Sequence, residues 1–434
     1  MNLSPRDRKA VGSSRRLMWL GLQSNEWMLA AAVVAVVVLS AILDVHHTYW
    51  NNPRLSALDI ARQTAFLGIF ALGAAVVIIA GGIDLSAGSM IAFSGTICAT
   101  LMVLMAPDVM SNPHQLVGGK LVERPLGWQV ISVAIAGTLL VGFLIGTLHT
   151  WLITVVGLPP FIATLATLVG LRSLSRAICE SVTQAVYDAK STQIQIFDPA
   201  FRYLATSVWI PVLIFLLLAV LLGILLRATV IGRHIYALGG NEQAAVLSGI
   251  RTDRVKWLAY CLGSVTSSIA GILYIGDQSV ADPQTLGRGY ELNAIAAAVV
   301  GGCSLQGGVG TVPGTVLGAL FLRCVIDGVA KIIKTGADVY EGQIVGVVVV
   351  IAVAFSQFRR GVRQGRQIFP GAMGVFALVA LSLLAAVLAM LMAEQMARFV
   401  PGAQNLDARG TGMSLGLLVL VLLAGWKWYE SRGR

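Results

Sequence analysis

Arg323, Asp327 and Lys331 stand at i, i+4 and i+8 on one apolar stretch, so they share one face of a helix. A charge at the centre of a membrane helix costs about 2.5–3.5 kcal/mol on insertion scales, and such residues are therefore paired or functional. Either base can pair with the central acid, which makes the trio an intramembrane ion ladder or a lining of a solute path. Asp84 is different, because no base lies three or four residues from it. Its carboxylate either accepts the free amides of a helix starting near Ser86 or faces a path itself. It sits in a glycine-rich run, Gly81-Gly82-Ile83-Asp84-Leu85-Ser86-Ala87-Gly88-Ser89, and a second run holds Gly301, Gly302, Gly307, Gly308 and Gly310. At an offset of 220 the two share Gly81/Gly301, Gly82/Gly302, Leu85/Leu305, Gly88/Gly308 and Ala99/Ala319, a weak internal repeat of a kind common in transporters. Gly81, Gly82, Asp84, Ser86, Gly301 and Gly302 are the candidates for broken helices at the translocation path.

Other chemistry is missing from the sequence. Gly118-Gly119-Lys120-Leu121 lacks the upstream glycine and the hydroxyl residue of a nucleotide-binding loop. If ATP drives this chain, a separate subunit binds it, and no directly bound cofactor is expected. The pair His46-His47 lies beside Tyr49 and Trp50 at the end of an apolar run and reads as part of an interfacial belt rather than a metal site. Cys98, Cys179, Cys261, Cys303 and Cys324 stand singly in or beside apolar segments, which suits packing and neither a disulfide framework nor zinc. No GxSxG elbow and no HExxH occurs, so neither catalytic residues nor an enzyme are expected.

The elements that must position these residues are membrane helices. Of 434 residues 56% are hydrophobic and 12% charged, whereas soluble domains carry roughly 25% charged residues. About twelve apolar membrane elements recur throughout, at 27–44, 60–80, 84–106, 128–149, 158–178, 207–227, 255–275, 291–301, 312–333, 342–358, 370–393 and 413–429, nearly all near the length that spans a bilayer. An all-α polytopic bundle follows, and the short alternating segments of a membrane β-barrel are absent. The run at 291–301 is too short to cross alone and reads as a broken or re-entrant segment. The apolar run Trp27–Leu43 has no cleavage site after it and reads as a retained first span.

The net charge of +10 sits in short segments between spans, which is a topological signal and not a nucleic-acid surface. Arg227, Arg233, Arg251, Arg254 and Lys256, then Arg359, Arg360, Arg363 and Arg366, alternate with acid-rich segments on the other side. Both termini are therefore expected in the cytoplasm of a multi-pass inner-membrane protein. The expected organisation is a basic tail at 1–26, a transmembrane domain at 27–358, a basic linker at 359–369 and an additional transmembrane hairpin at 370–429.

The longest interior segment, Ala228 to Arg254, contains one short helix former. Asn241 is a good N-cap, Glu242 suits the first turn, and Gly249 stops the helix after Ala244, Ala245, Leu247 and Ser248. Its small apolar surface is that of an ordinary surface helix or of an element seated in a partner's cleft.

Several strings together resemble the permeases of ABC-type monosaccharide importers, the ribose, xylose and galactose group. They are Gly81-Gly82-Ile83-Asp84-Leu85-Ser86, Pro160-Phe161-Ile162-Ala163-Thr164-Leu165, Gly232-Arg233-His234-Ile235-Tyr236-Ala237-Leu238-Gly239-Gly240-Asn241, Leu247-Ser248-Gly249-Ile250 after Ala244-Ala245, and Glu291-Leu292-Asn293-Ala294-Ile295-Ala296-Ala297 running into Gly301-Gly302. The resemblance covers about residues 55–358. It implies a permease that dimerises, receives a sugar from an extracytoplasmic binding protein, and docks a cytoplasmic ATPase through a coupling helix at Asn241–Gly249. Three features depart from the family's pattern. Ala87 and Cys303 replace an expected valine and threonine, the loop Pro107–Gly127 is long, and two spans follow the family's usual end.

Overall fold

In a bilayer the backbone of an apolar run has no water to bond, so each run satisfies its own amides and carbonyls as a helix. The chain is represented by a computed structural model that describes residues 24–44, 47–117, 120–333, 342, 345–347, 350, 371–399 and 407–432. Among the described residues ten helices are long and apolar enough to cross a membrane, in keeping with the all-α polytopic class expected. In chain order the elements are α1 (Ser24–Leu43), α2 (Thr48–Asn51), α3 (Pro53–Ile79), α4 (Ala87–Met105), α5 (Pro107–Ser111), β1 (His114–Val117), β2 (Lys120–Glu123), α6 (Trp128–Thr154) and α7 (Pro160–Tyr187). They continue as β3 (Ile194–Gln195), α8 (Pro199–Thr206), α9 (Trp209–Ala228), α10 (Val230–Gly240), α11 (Glu242–Leu247), α12 (Thr252–Gln278) and β4 (Val280–Ala281). The last are α13 (Tyr290–Val300), α14 (Val312–Ile333), α15 (Gly371–Phe399) and α16 (Ala408–Arg432). Residues 1–23 of the expected tail at 1–26, most of the expected span at 342–358 and the linker at 359–369 lie outside the described residues, and Ser24–Glu26 belong to α1.

The chain forms two compact units, Arg54–Cys324 with the residues up to Ala35, and Val36–Pro53 with Val325–Arg434. In the first unit α3, α4 and α12 are central, with 89%, 78% and 78% of their most apolar windows buried, against 28% for α6 and 22% each for α7 and α9. Every residue from Thr64 to Ile79 of α3 is buried, which fits a helix apolar on all sides. Small residues on α12 and its neighbours let these helices approach closely. A Cβ on Gly73 would lie 1.9 Å from Thr266 Oγ1, one on Gly146 2.5 Å from Cys261 Cα, and one on Gly271 2.5 Å from the Ile91 carbonyl. Buried hydroxyls along these seams bond to their own helices, as Ser94 does to the Met90 carbonyl at 2.6 Å and Ser267 to the Gly263 carbonyl at 2.9 Å.

The connecting segments carry more structure than a loop reading suggests. The long segment after α4 folds into α5 and an antiparallel hairpin that pairs His114 with Glu123 and Val117 with Lys120. Leu116-Val117 and Leu121-Val122 around Gly118-Gly119 are a hairpin pattern. β3 and β4 pair Ile194 with Ala281 and Gln195 with Val280. Buried Asp198 caps α8 by accepting from the Phe201 amide at 2.6 Å, and its other oxygen accepts from the Leu126 amide at 2.7 Å. Arg62 near the start of α3 pairs with Asp277 at the end of α12, 2.5 Å apart.

In the second unit α15 and α16 form a hairpin whose seam is again made by small residues. A Cβ on Gly412 would sit 2.6 Å from the Ala386 carbonyl and one on Gly416 2.7 Å from the Ala386 Cβ. Away from that seam the two helices are mostly exposed.

Candidate coupling and translocation site

Both glycine runs form turns, and the turns meet. α3 ends through Gly81, whose φ of +84° is the left-handed conformation that favours glycine. After α13, the Gly308 amide donates to the Ile79 carbonyl at 2.9 Å, so the second turn is bonded directly to the end of α3. Gly239, near the end of α10, lies between them, and a Cβ there would stand 1.8 Å from the Ile79 carbonyl oxygen and 2.5 Å from the Gly308 amide. The sequence offset pairs Gly81 with Gly301, whereas the contact formed is with Gly307, whose Cβ would lie 2.8 Å from Gly81 Cα. Gly301 instead packs on α14, where a Cβ would lie 2.4 Å from the Gly314 carbonyl, and Gly302 is exposed with φ +97°.

Asp84 is 5% exposed. Its Oδ1 accepts from the Ser86 amide at 2.8 Å and from the Ser86 hydroxyl at 2.6 Å, immediately before α4 begins. Around it lie buried polar side chains from three other helices. Tyr260 of α12 and His149 of α6 have ring centroids 6.2 Å apart. His149 Nε2 is 2.8 Å from Thr167 Oγ1, and Thr164 donates to the Ile83 carbonyl at 3.3 Å. A Cβ on Gly82 would come within 2.5 Å of the Tyr260 hydroxyl. His149 Nδ1 and Ser264 Oγ are buried and have no hydrogen-bond partner among the described residues.

The segment 241–250 folds as a capped single helix. Asn241 accepts from the Ala244 amide at 3.0 Å. At the other end the Ile250 amide reaches the Ala245 carbonyl at 3.1 Å and the Gly249 amide the Val246 carbonyl at 2.9 Å, with Gly249 at φ +79°. This is the paired closure that a left-handed glycine makes possible. Glu242 is tied to Lys256 on α12 at 2.6 Å. Ala244, Val246 and Leu247 are exposed, Leu247 to 89%. Ala245, expected on the outer apolar face with Ala244 and Leu247, is 3% exposed. The helix has six residues, and its one inward position must pack on the body that carries it. α10 joins α11 to the glycine turns. Thr229 caps α10 by accepting from the Gly232 amide at 3.1 Å, and the Tyr236 hydroxyl donates to the Gly310 carbonyl at 2.8 Å. Burial pushes the Tyr236 phenol up from its ordinary range, so it remains a donor at physiological pH. α10 and the short α11 are thus held against the two glycine turns by these contacts.

The charged trio is distributed over separate partners. Arg323 donates to Gln63 at 3.0 Å. Lys331 bonds Asp327 at 2.8 Å, the Tyr49 hydroxyl donates to Asp327 at 2.5 Å, and the Lys331 ammonium stands 4.1 Å over the Tyr49 ring. Tyr49 is thus buried against a charge pair, while Trp50 is exposed as an interfacial anchor would be. One residue missed in the sequence is Arg172, in the middle of α7, which donates to the Pro283 and Leu286 carbonyls at 2.8 and 3.1 Å and so clamps the irregular segment before α13. An arginine inside an apolar span is its signal, since Arg176 four residues on has Glu180 at helical spacing and Arg172 has no acid three or four residues away. Buried Asp282 organises the same segment, accepting from Gln284, Thr285 and Gln193.

Comparison with known proteins adds the following. A family described as the permease component of branched-chain amino acid transport systems matches residues 56–354. The ribose import permease protein of Haemophilus influenzae is 33% identical over 293 residues, covering 67% of this chain and 81% of that protein. The ribose import permease protein of Escherichia coli K12 is 32% identical over 341 residues, 78% of this chain and 95% of that protein. The L-arabinose ABC transporter permease protein of Azospirillum brasilense is 30% identical over 345 residues, 79% and 92% respectively. No solved structure matches the chain at a significant level.

Proposed function

This chain belongs to the permease-component family of branched-chain amino acid transport systems, and on that premise we propose that it forms the membrane path for a monosaccharide, driven by a separate cytoplasmic ATPase. It is a multi-pass permease subunit of an ATP-binding cassette importer. The sugar class is supported by relatives whose names specify ribose and L-arabinose import. In this reading an extracytoplasmic binding protein delivers the solute, two copies of the chain enclose the path, and both termini lie in the cytoplasm with the basic segments. ATP is bound by the partner subunit and not by this chain.

The observation that carries the coupling role is the arm formed by α10 and α11. Its exposed tip offers Val246 and Leu247 to a partner, and the end of α10 beside that tip packs between the two glycine turns at Gly239, while the Tyr236 hydroxyl bonds the second turn at the Gly310 carbonyl. A push on α11 therefore reaches the ends of α3 and α13 without passing through a flexible linker.

The test is reconstitution of the chain with its copurifying ATPase and its binding protein, the latter loaded in turn with pentoses and hexoses. ATP hydrolysis should rise several-fold only with a loaded binding protein. Stimulation by non-sugar solutes alone would overturn the substrate class, and failure of any ATPase to copurify would overturn the coupling role.

A further inference from the structure

A cavity of about 870 Å³ opens between α9, α10 and the second glycine turn. Its lining includes Val220, Ile224, Arg227, Arg233, Glu26 and Thr311. Two features define what it can hold. The first is charge: among the described residues the lining has two arginines and one glutamate, and Glu26 accepts a hydrogen bond from the Thr311 hydroxyl, so this lining carries a formal excess of one positive charge. The second is its approach. Leu213, Leu217, Val220 and Ile224 are all exposed and recur on one face of α9, forming an apolar stripe that runs along the span into the cavity and ends at Arg227. A free inorganic anion would use the charge and not the stripe, whereas a hydrocarbon tail would use only the stripe.

We propose that this cavity is a binding site for one anionic phospholipid, whose phosphodiester is held by Arg227 and Arg233 and whose acyl chain lies along the α9 stripe. Basic recesses between membrane helices at the cytoplasmic surface suit such headgroups. The site goes beyond the transport role and does not depend on the solute. Its far wall is the glycine turn itself, from Gly301 to Pro313, with Tyr236 bonded to that turn, so an occupied site buttresses the joint between coupling arm and turn.

The test uses the full-length chain, delipidated in detergent and titrated with phosphatidylglycerol or phosphatidylcholine of identical acyl chains, with bound lipid read by native mass spectrometry. One phosphatidylglycerol per chain should be retained in preference to phosphatidylcholine. An Arg227→Gln/Arg233→Gln double variant should bind it about thirtyfold more weakly, the size expected for two basic residues at a charged surface. The Arg227→Lys/Arg233→Lys variant should retain most of the affinity, which separates charge loss from misfolding, and Arg254→Gln, outside the cavity, should behave as wild type. The proposal is overturned if the Gln double variant binds as wild type, if the two lipids compete equally, or if soluble glycerophosphoglycerol binds as tightly as the lipid.

Discussion

The bundle around α3 and the hairpin of α15 and α16 are both built from long apolar helices, and hydropathy alone does not distinguish them. Their surroundings do. In the bundle, glycines abut backbone of other helices, buried hydroxyls bond within their own turns, and the turns at Gly81 and Gly307–Gly308 pack against each other and against Gly239. In the hairpin one small-residue seam joins two helices that are otherwise exposed, with 22% and 11% of their apolar windows buried. The residues matched by the permease family end at 354, before the hairpin begins. The centre of the bundle is more tightly packed than the hairpin, and substitutions of the same kind should have unequal effects in the two.

The largest contrast is expected for glycine. Gly239→Val places a side chain against two backbone atoms of the glycine turns and should bring solute uptake in membrane vesicles to background, whereas Gly425→Val in α16, with open space around it, should leave uptake unchanged. Equal effects at the two positions would erase the distinction. Next in size is the arm. Leu247→Asp should reduce ATPase copurification at least tenfold with normal thermal unfolding, since the side chain is exposed. Ala245→Glu should instead lower stability by about 2–4 kcal/mol, because it buries a charge within the chain itself. That variant therefore reports on folding and not on docking.

Asp84→Ala and Asp84→Asn separate the two roles open to that residue. Loss of both bonds to Ser86 should cost about 1 kcal/mol in the alanine variant. If the carboxylate serves only to start α4, the asparagine variant keeps that acceptor and transports within about twofold of wild type; uptake lost in both variants assigns Asp84 to the path. The smallest effect is expected from ending the chain after residue 370. Removal of the hairpin should leave uptake within about twofold, measured against the amount of chain inserted.

Much of this contrast was legible in the sequence. The spans, the short element at 291–301, the glycine runs and the cap at Asn241 follow from run length and local chemistry, which act within a few residues. What was not legible depends on partners distant in the chain. The contact of Gly239 with Ile79 and Gly308 joins three segments that no periodicity relates. The inward position of Ala245 follows from the body beneath a six-residue helix, too short to show an amphipathic pattern. The partners of Arg172 are carbonyls rather than an acid at helical spacing, and the hydroxyl of Tyr49, a residue whose position suggests an interfacial anchor, reaches Asp327, 278 positions away.

The proposed engagement of the ATPase at α11 can be read from a photo-crosslinking residue placed at 247 and, separately, at 116 in the β1–β2 hairpin, in cells producing the intact transporter. An adduct with the ATPase subunit at 247 and none at 116 is the predicted result. An ATPase adduct at 116 with none at 247 would contradict the account, because the arm would then lie on the side of the membrane away from the motor.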